Sequence, residues 1–306
     1  MEIKTVGIVG AGSLGVMYGN ALNKALGKNG FCFIVDETRK HRYVEEGIFY
    51  NGERIDFTFK SPADDPSPLD LVIFTVKITA LEKAMENAAP FIGKDTIILS
   101  FMNGISSETI LGEKFGAEKV VYAVVQGMDT MKKGNMIHAV NIGYISLGEK
   151  SGETTQRILS LQSLFDKASL AWNMPENILR HSWSKLMLNT GVNQTMAVKQ
   201  KTYGFLHTDQ PSRDLMRQAM IEVQTLAGKE GILLTDGDID KWFGIIDSLS
   251  PHGMPSMAQD VLAGRKTEVD LFAGTIKQLG KKHGIPTPVN DYLYDEIKRI
   301  EAGFKK

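Results

Sequence analysis

The sequence predicts an α/β domain built on a mainly parallel sheet, followed by an all-helical domain. Three observations carry this. Short apolar runs alternate with amphipathic helical stretches through the first half of the chain. A glycine-rich turn joins the first run to the first helix. Beyond about residue 175 only helix-length segments remain. A length of 306 residues accommodates two domains, which we place at 1–175 and 176–306.

Residues 3–9 read as a short buried strand. Residues 13–28 follow, with Leu14, Met17, Ala21, Leu22, Ala25 and Leu26 spaced along one helical face. Residues 31–35 form a second apolar run, and the crossover between the two runs implies parallel strands. Asn51-Gly52 marks a hairpin, after which Ile55, Phe57 and Phe59 alternate with polar residues. Further strands are expected at 71–76, ending at Lys77, and at 97–101, ending near Asn103-Gly104. Helices are expected at 79–89 and 106–115. Strands at 120–125, 136–140 and 143–147, with a turn at Lys133-Gly134, and a helix over 153–168 complete this half. The helical half is interrupted near Pro211, Gly231, Pro251 and Gly284-Ile285-Pro286.

Composition excludes several classes. The formal net charge is −1 and the basic residues are scattered, which argues against a nucleic-acid or membrane-surface binder. No apolar run approaches the ~18 residues of a membrane span. The N-terminus carries no signal pattern, so the expected compartment is the cytoplasm. The single cysteine, Cys32, rules out an internal disulfide framework and lies in an apolar run as a core thiol. The six histidines show no metal-ligand spacing, so no metal is expected. Asp236-Gly237-Asp238-Ile239-Asp240 resembles part of a calcium loop but lacks its distal glutamate, and reads as the start of a helix.

The motif Gly10-Ala11-Gly12-Ser13-Leu14-Gly15 sits between a strand and a helix, the context of a Rossmann-type dinucleotide site. Gly10 permits the tight turn, Gly12 lets the backbone approach a pyrophosphate, and Gly15 lets helix and strand pack closely. The N–H groups at the helix start attract the phosphates. Asp36 follows Gly15 by 21 residues and suits the ribose hydroxyls of NAD(H), whereas Arg39, Lys40 and Arg42 suit the extra phosphate of NADP(H) or form a solvated helix face. The residues favour NADH.

In the second half, Lys185, Asn189 and Asn193 are spaced i, i+4, i+8 and share one stripe of a helix. Such a stripe suits a polar substrate, or else faces solvent. Trp183 reads as a packing residue that braces this helix. The segment 256–270 reads as a helical, mixed-charge stretch.

Together these features resemble the ketopantoate reductase (2-dehydropantoate 2-reductase) family. The resemblance rests on the glycine motif, Lys77, Asn103-Gly104, and Trp183-x-Lys185 with Asn189 and Asn193. It also rests on Ser256-Met257-x-x-Asp260, Arg265-x-Thr267-Glu268-x-Asp270 and Gly284-Ile285-Pro286-x-Pro288-x-Asn290. It spans nearly the whole chain in the family's order. It implies an NAD(P)H-dependent oxidoreductase that reduces 2-dehydropantoate to pantoate for pantothenate and coenzyme A synthesis. It further implies Lys185 as general acid and Glu268 as its partner in catalysis. Asn103, Asn189, Asn193 and Ser256 would bind the substrate. Gly10, Ala11, Gly12, Ser13, Leu14, Gly15, Asp36, Lys77 and Asn103 would bind the cofactor. The family's NADPH users usually carry arginine where this chain has Asp36. Alternatives are a related 2-oxoacid or β-hydroxyacid dehydrogenase with another substrate, and a non-catalytic dinucleotide sensor. The expected partner is a small 2-oxoacid, and a homodimer through the helical half is the assembly considered.

Overall fold

The apolar runs of the first half become strands because both of their faces are covered. A computed structural model describes residues Glu2–Phe304. The chain divides into two compact units, Met1–Ile178 and Leu179–Lys306.

The first unit contains, in order, β1 (Val6–Val9), α1 (Ser13–Leu26), β2 (Phe31–Ile34), α2 (Glu37–Glu46), β3 (Ile48–Tyr50), β4 (Glu53–Ile55), β5 (Phe59–Lys60) and β6 (Leu71–Phe74). There follow α3 (Leu81–Ala88), β7 (Ile97–Ser100), α4 (Ser107–Phe115), β8 (Val120–Lys133), β9 (Met136–Gly148), α5 (Gln156–Lys167) and β10 (Trp172–Asn173). Every residue of β1, β2, β6 and β7 is buried. Ile8, Ile73, Leu99 and Val121 pack into one core, and Val9, Val72, Phe74 and Ile98 into another. Alternate residues of the same strands thus serve opposite faces, which explains runs that are apolar throughout.

The strand order is β4-β3-β9-β8-β7-β6-β1-β2-β5, with β10 alongside β9. Pairing from β5 through β8 is parallel. The chain winds from β1 outward to β2 and then returns to the other side of β1 as β6. The carboxyl ends of β1 and β6, where the strand order reverses, are the usual ligand position in such sheets.

Asn51 and Gly52 adopt positive φ, 49° and 89°, and close the β3–β4 hairpin as expected for this dipeptide. The expectation of separate strands at 120–125, 136–140 and 143–147 is corrected. The first extends to Lys133, and the other two are one strand paired antiparallel with it. Gly127 and Gly143 face each other across this ladder with φ of 77° and 65°. A Cβ at Gly143 would lie 2.0 Å from the Gln126 carbonyl oxygen. The facing glycines let the ribbon bend without breaking, and the same feature reads as a gap in the sequence.

Cys32 is buried in β2, and burial pushes its thiol up to about 11, against the opposing pull of Lys60. It is a core residue rather than a nucleophile.

The second unit contains α6 (Ile178–Leu188, beginning at the last residue of the first), α7 (Gln194–Lys199), α8 (Gln210–Lys229) and α9 (Asp236–Ser248). It ends with α10 (Ser256–Leu262), α11 (Thr275–His283) and α12 (Pro288–Ala302). Single π-helical turns occupy Asn189–Asn193 and Asp270–Gly274. The acidic cluster at 236–240 starts α9: Thr235 and Asp238 form a capping box, and Asp238 also accepts two hydrogen bonds from Arg180 at 2.8 Å. No helix among the described residues is long and apolar enough to cross a membrane.

The Gly284-to-Asn290 motif has a structural explanation. Gly284 ends α11 in the left-handed conformation, and Pro288 opens α12. Asn290 is wholly buried. Its Nδ2 donates to Glu222 at 2.7 Å, and its Oδ1 accepts from Gln194 at 3.2 Å. Glu222 also accepts the backbone N–H groups of Val289 and Asn290, so a carboxylate stabilises the start of α12. Asn290→Ala leaves the half-buried Glu222 carboxylate and the buried Gln194 amide each short of a partner and should cost about 2 kcal/mol of stability. Urea unfolding followed by circular dichroism checks this; an unchanged midpoint would contradict the role.

Candidate active site

The glycine turn is built on the carboxyl edge of the parallel sheet. Val9, Phe74 and Ser100 stand in register at the ends of β1, β6 and β7. The residues that follow them, Gly10, Thr75–Lys77 and Phe101–Asn103, therefore leave the sheet from one edge. Gly10 has φ of 107°, and its carbonyl oxygen accepts from Thr75 Oγ1 at 2.8 Å. A Cβ at Gly15 would lie 1.9 Å from that same oxygen, so only glycine lets α1 approach β1 this closely.

Gly12 differs from these two. A Cβ there would meet nothing within 4 Å. Its lack of a side chain leaves open space beside the backbone, which fits the approach of a pyrophosphate. Gly12 caps α1 without any side-chain hydrogen bond, so the first N–H groups of α1 have no side-chain cap. Ser13 begins α1, Leu14 packs against the core, and Ala11 is buried.

Asp36 sits one residue beyond the buried run of β2 and caps α2. Its Oδ1 accepts from the Arg39 N–H at 2.8 Å, and its Oδ2 lies 3.6 Å from Arg39 Nε. From the sequence Asp36 is expected at the ribose and not as a cap, although an aspartate at a helix start is the signal of one. Lys40 turns away to Asp64. Lys77 is exposed and opens a 3₁₀ turn, and Asn103 is half-buried before Gly104, whose φ is 89°.

The helical unit carries a polar cluster of its own. The Lys185 stripe does not run along a uniform α-helix, because α6 gives way to a π turn at Asn189. Such turns recur at functional sites. The stripe does not face solvent either: Asn189 and Asn193 are each 7% exposed. Asn193 Nδ2 donates to Asn189 Oδ1 at 3.0 Å, and Asn193 Oδ1 lies 3.4 Å from both Ser256 Oγ and the Met257 N–H. Asn189, Asn193 and Ser256 are thus gathered into one polar cluster. Lys185, half-buried, stands one turn before it on α6. Trp183 is buried, in keeping with a packing role.

The segment 256–270 is not one helical stretch. Helix α10 ends at Leu262, and Gly264 turns the chain with φ of 62°. Asp260 holds this turn by pairing with Arg265 at 2.8 Å. Thr267 donates to Glu301 through its N–H and hydroxyl at 2.7 and 2.6 Å, and Asp270 accepts from Tyr294 and Lys298 at 2.8 Å. Glu268 therefore stands between two residues clamped to α12.

Gln194, which the sequence reading missed, ties the two π turns together. Its Nε2 donates to the Thr190 carbonyl at 2.8 Å, and its Oε1 accepts from the Ala273 N–H at 2.9 Å. A buried glutamine after a run of site residues carries no signal in the sequence alone. Among the described residues, no group of three or more His, Cys, Asp or Glu is placed to hold a metal ion.

Two family models match the chain: "Ketopantoate reductase PanE/ApbA" over residues 6–152 and "Ketopantoate reductase PanE/ApbA C terminal" over residues 177–301. The chain belongs to the ketopantoate reductase family. It is 27% identical over 300 residues to the 2-dehydropantoate 2-reductase of Aquifex aeolicus, covering 96% of each chain. A PanE/ApbA family ketopantoate reductase from Ralstonia eutropha JMP134 superposes with a TM-score of 0.85 at 27% identity, covering 97% of this chain and 98% of that one. A D-mandelate dehydrogenase, solved with NADH and anilino(oxo)acetate, has the same fold, with a TM-score of 0.87 at 23% identity over 98% of this chain and 99% of that one. Ketopantoate reductases are oxidoreductases that act on a 2-oxoacid or its alcohol.

In this family member, His181 lies one turn before Lys185. Burial pushes its imidazole down to about 4 from the usual 6.5, helped by Lys241, Lys185 and Arg180. It is neutral at pH 7. As pH falls below about 6.5, the unfolded chain binds a proton at this residue that the folded chain does not bind until about pH 4. His181 therefore lowers stability progressively as pH falls across that window, with no effect above it and no further loss below it. In unfolding titrations from pH 7 to 4, His181→Gln should flatten the decline. A decline of unchanged steepness would count against the assignment.

Proposed function

We propose that the protein is a 2-dehydropantoate 2-reductase that prefers NADH. The observation that carries the reading is the polar cluster formed by the buried Asn189 and Asn193 with the exposed Ser256, one helical turn from Lys185. Buried amides are costly unless they bind something polar, and together with the accessible Ser256 hydroxyl they suit the hydroxyl and carboxylate of a small hydroxylated 2-oxoacid.

The glycine turn and the start of α1 would hold the dinucleotide's pyrophosphate, Asp36 its adenosine ribose, and Lys77 and Asn103 its nicotinamide end. A dinucleotide held there would supply the hydride that the ketone carbon accepts. As the carbonyl bond opens, charge builds on its oxygen. The Lys185 ammonium stabilises that charge and donates the proton that completes the alcohol. Glu268 bonds the substrate hydroxyl and orients Lys185, held in place by the clamps at Thr267 and Asp270. Asn103 lies between substrate and cofactor in this scheme.

The preference for NADH rests on Asp36, whose carboxylate repels a 2′-phosphate. It is supported by the pairing of Arg39 with Asp36 and of Lys40 with Asp64, which engages two of the three neighbouring cations.

Absorbance of the reduced cofactor tests both parts. Purified protein should oxidise NADH faster than NADPH when 2-dehydropantoate is added. Much faster turnover of another 2-oxoacid, such as an aryl one, would overturn the substrate, and a clear NADPH preference would overturn the cofactor. Lys185→Ala should lower kcat by about 10²–10⁴-fold while dinucleotide binding persists. A purely sensory protein would show no turnover to lose.

A further inference from the structure

The β8–β9 ribbon extends far beyond the central sheet. Its distal end does not hang free. Strand β9 pairs with β3 at Phe49↔Met136 and Tyr50↔Ile137. At the tip, the Asn135 carbonyl accepts from the Phe49 N–H, and the Asn135 side chain donates to the Gly47 carbonyl at 2.8 Å, just past the end of α2. The ribbon is thereby fixed beside the helix that carries Arg39 and Arg42.

From this anchored tip, Lys132 reaches back to the glycine turn. Its Nζ donates to the Ala11 carbonyl oxygen at 3.0 Å. Ala11 and Lys132 are 121 residues apart in sequence. The contact sets a cation at the turn where the backbone is open at Gly12. Arg39 and Arg42 are near enough to act on it: burial first, then these two arginines, hold the ammonium below its usual range. Three cations therefore gather around the turn, with one carboxylate, Asp36, paired to Arg39. Such a gathering is self-repelling without an anion and becomes favourable when a phosphate enters.

We infer that Lys132 is a phosphate ligand of the dinucleotide, delivered to the glycine turn by the β8–β9 ribbon. The contact with Ala11 favours the pyrophosphate as its target. One donor proton holds the Ala11 carbonyl, leaving two others of the ammonium to take phosphate oxygens. The inference rests on the dinucleotide reading above, and it adds a residue from outside the β1-α1-β2 unit to that site.

Calorimetric titration of the full chain with NADH and with NADPH tests it, using wild type, Lys132→Met and Lys132→Arg. Methionine keeps the stem of the ribbon lysine and removes its charge. It should weaken dinucleotide binding by about tenfold or more, reduce the salt dependence of the affinity, and leave the melting temperature unchanged. Arginine should restore most of the affinity. Equal weakening toward both dinucleotides assigns the contact to the pyrophosphate. Weakening toward NADPH alone supports a phosphate contact but moves it to the 2′ position. Wild-type affinity in Lys132→Met would overturn the inference. So would a lowered melting temperature with unchanged salt dependence, which would mark the Ala11 contact as structural only. If wild type bound neither dinucleotide, the reading beneath the inference would fall instead.

Discussion

Helix α1 can start where it does only because Gly15 lacks a side chain beside the Gly10 carbonyl. Any Cβ at that position would overlap the oxygen, at 1.9 Å. Moving the helix away would pull its N-terminus off the end of β1 and break the Thr75 contact that holds the turn from the neighbouring strand. The carboxyl edge of the sheet is organised around this approach. Gly10, Lys77 and Asn103 follow three adjacent strands that end in register, so one steric constraint and one ladder place all three.

The helical unit meets a different demand, which is to bury polar groups without leaving them unsatisfied. Asn189, Asn193, Gln194 and Asn290 are all nine-tenths buried or more. Asn189 and Asn193 bond each other, while Gln194 and Asn290 form a separate network that runs through Glu222 to the start of α12 and through Gln194 to the second π turn. A π turn widens the helix and frees backbone groups locally, and here the single side-chain amide of Gln194 takes up the Thr190 carbonyl and the Ala273 N–H. The arrangement fixes the Lys185 helix and the Glu268 segment with respect to each other. Several motif residues act in support: Asp260 closes a turn on Arg265, while Thr267 and Asp270 pin their segment to α12.

Sequence reasoning was strongest where a local rule fixes the outcome. The glycine turn, the Asn51-Gly52 hairpin and the buried strands are each dictated by φ restrictions or by hydrophobic period. It failed at the β8–β9 ribbon, because a glycine with positive φ inside a strand looks like a chain break unless the facing glycine is known. It also took 256–270 as a single helical stretch, since mixed polar composition does not record the left-handed turn at Gly264.

By itself, then, the sequence determined the order of elements, the dinucleotide-type turn and the residue types at the site. These depend on neighbours a few positions apart, whose geometry the backbone fixes. Only the tertiary structure decided what each polar residue is bonded to. It put Asp36 on the start of α2, Glu222 on the start of α12, Gln194 between two π turns and Lys132 on the carbonyl of Ala11. Apart from the Asp36 cap, these contacts join residues scores of positions apart. They follow from strand order and helix packing, which no local pattern encodes.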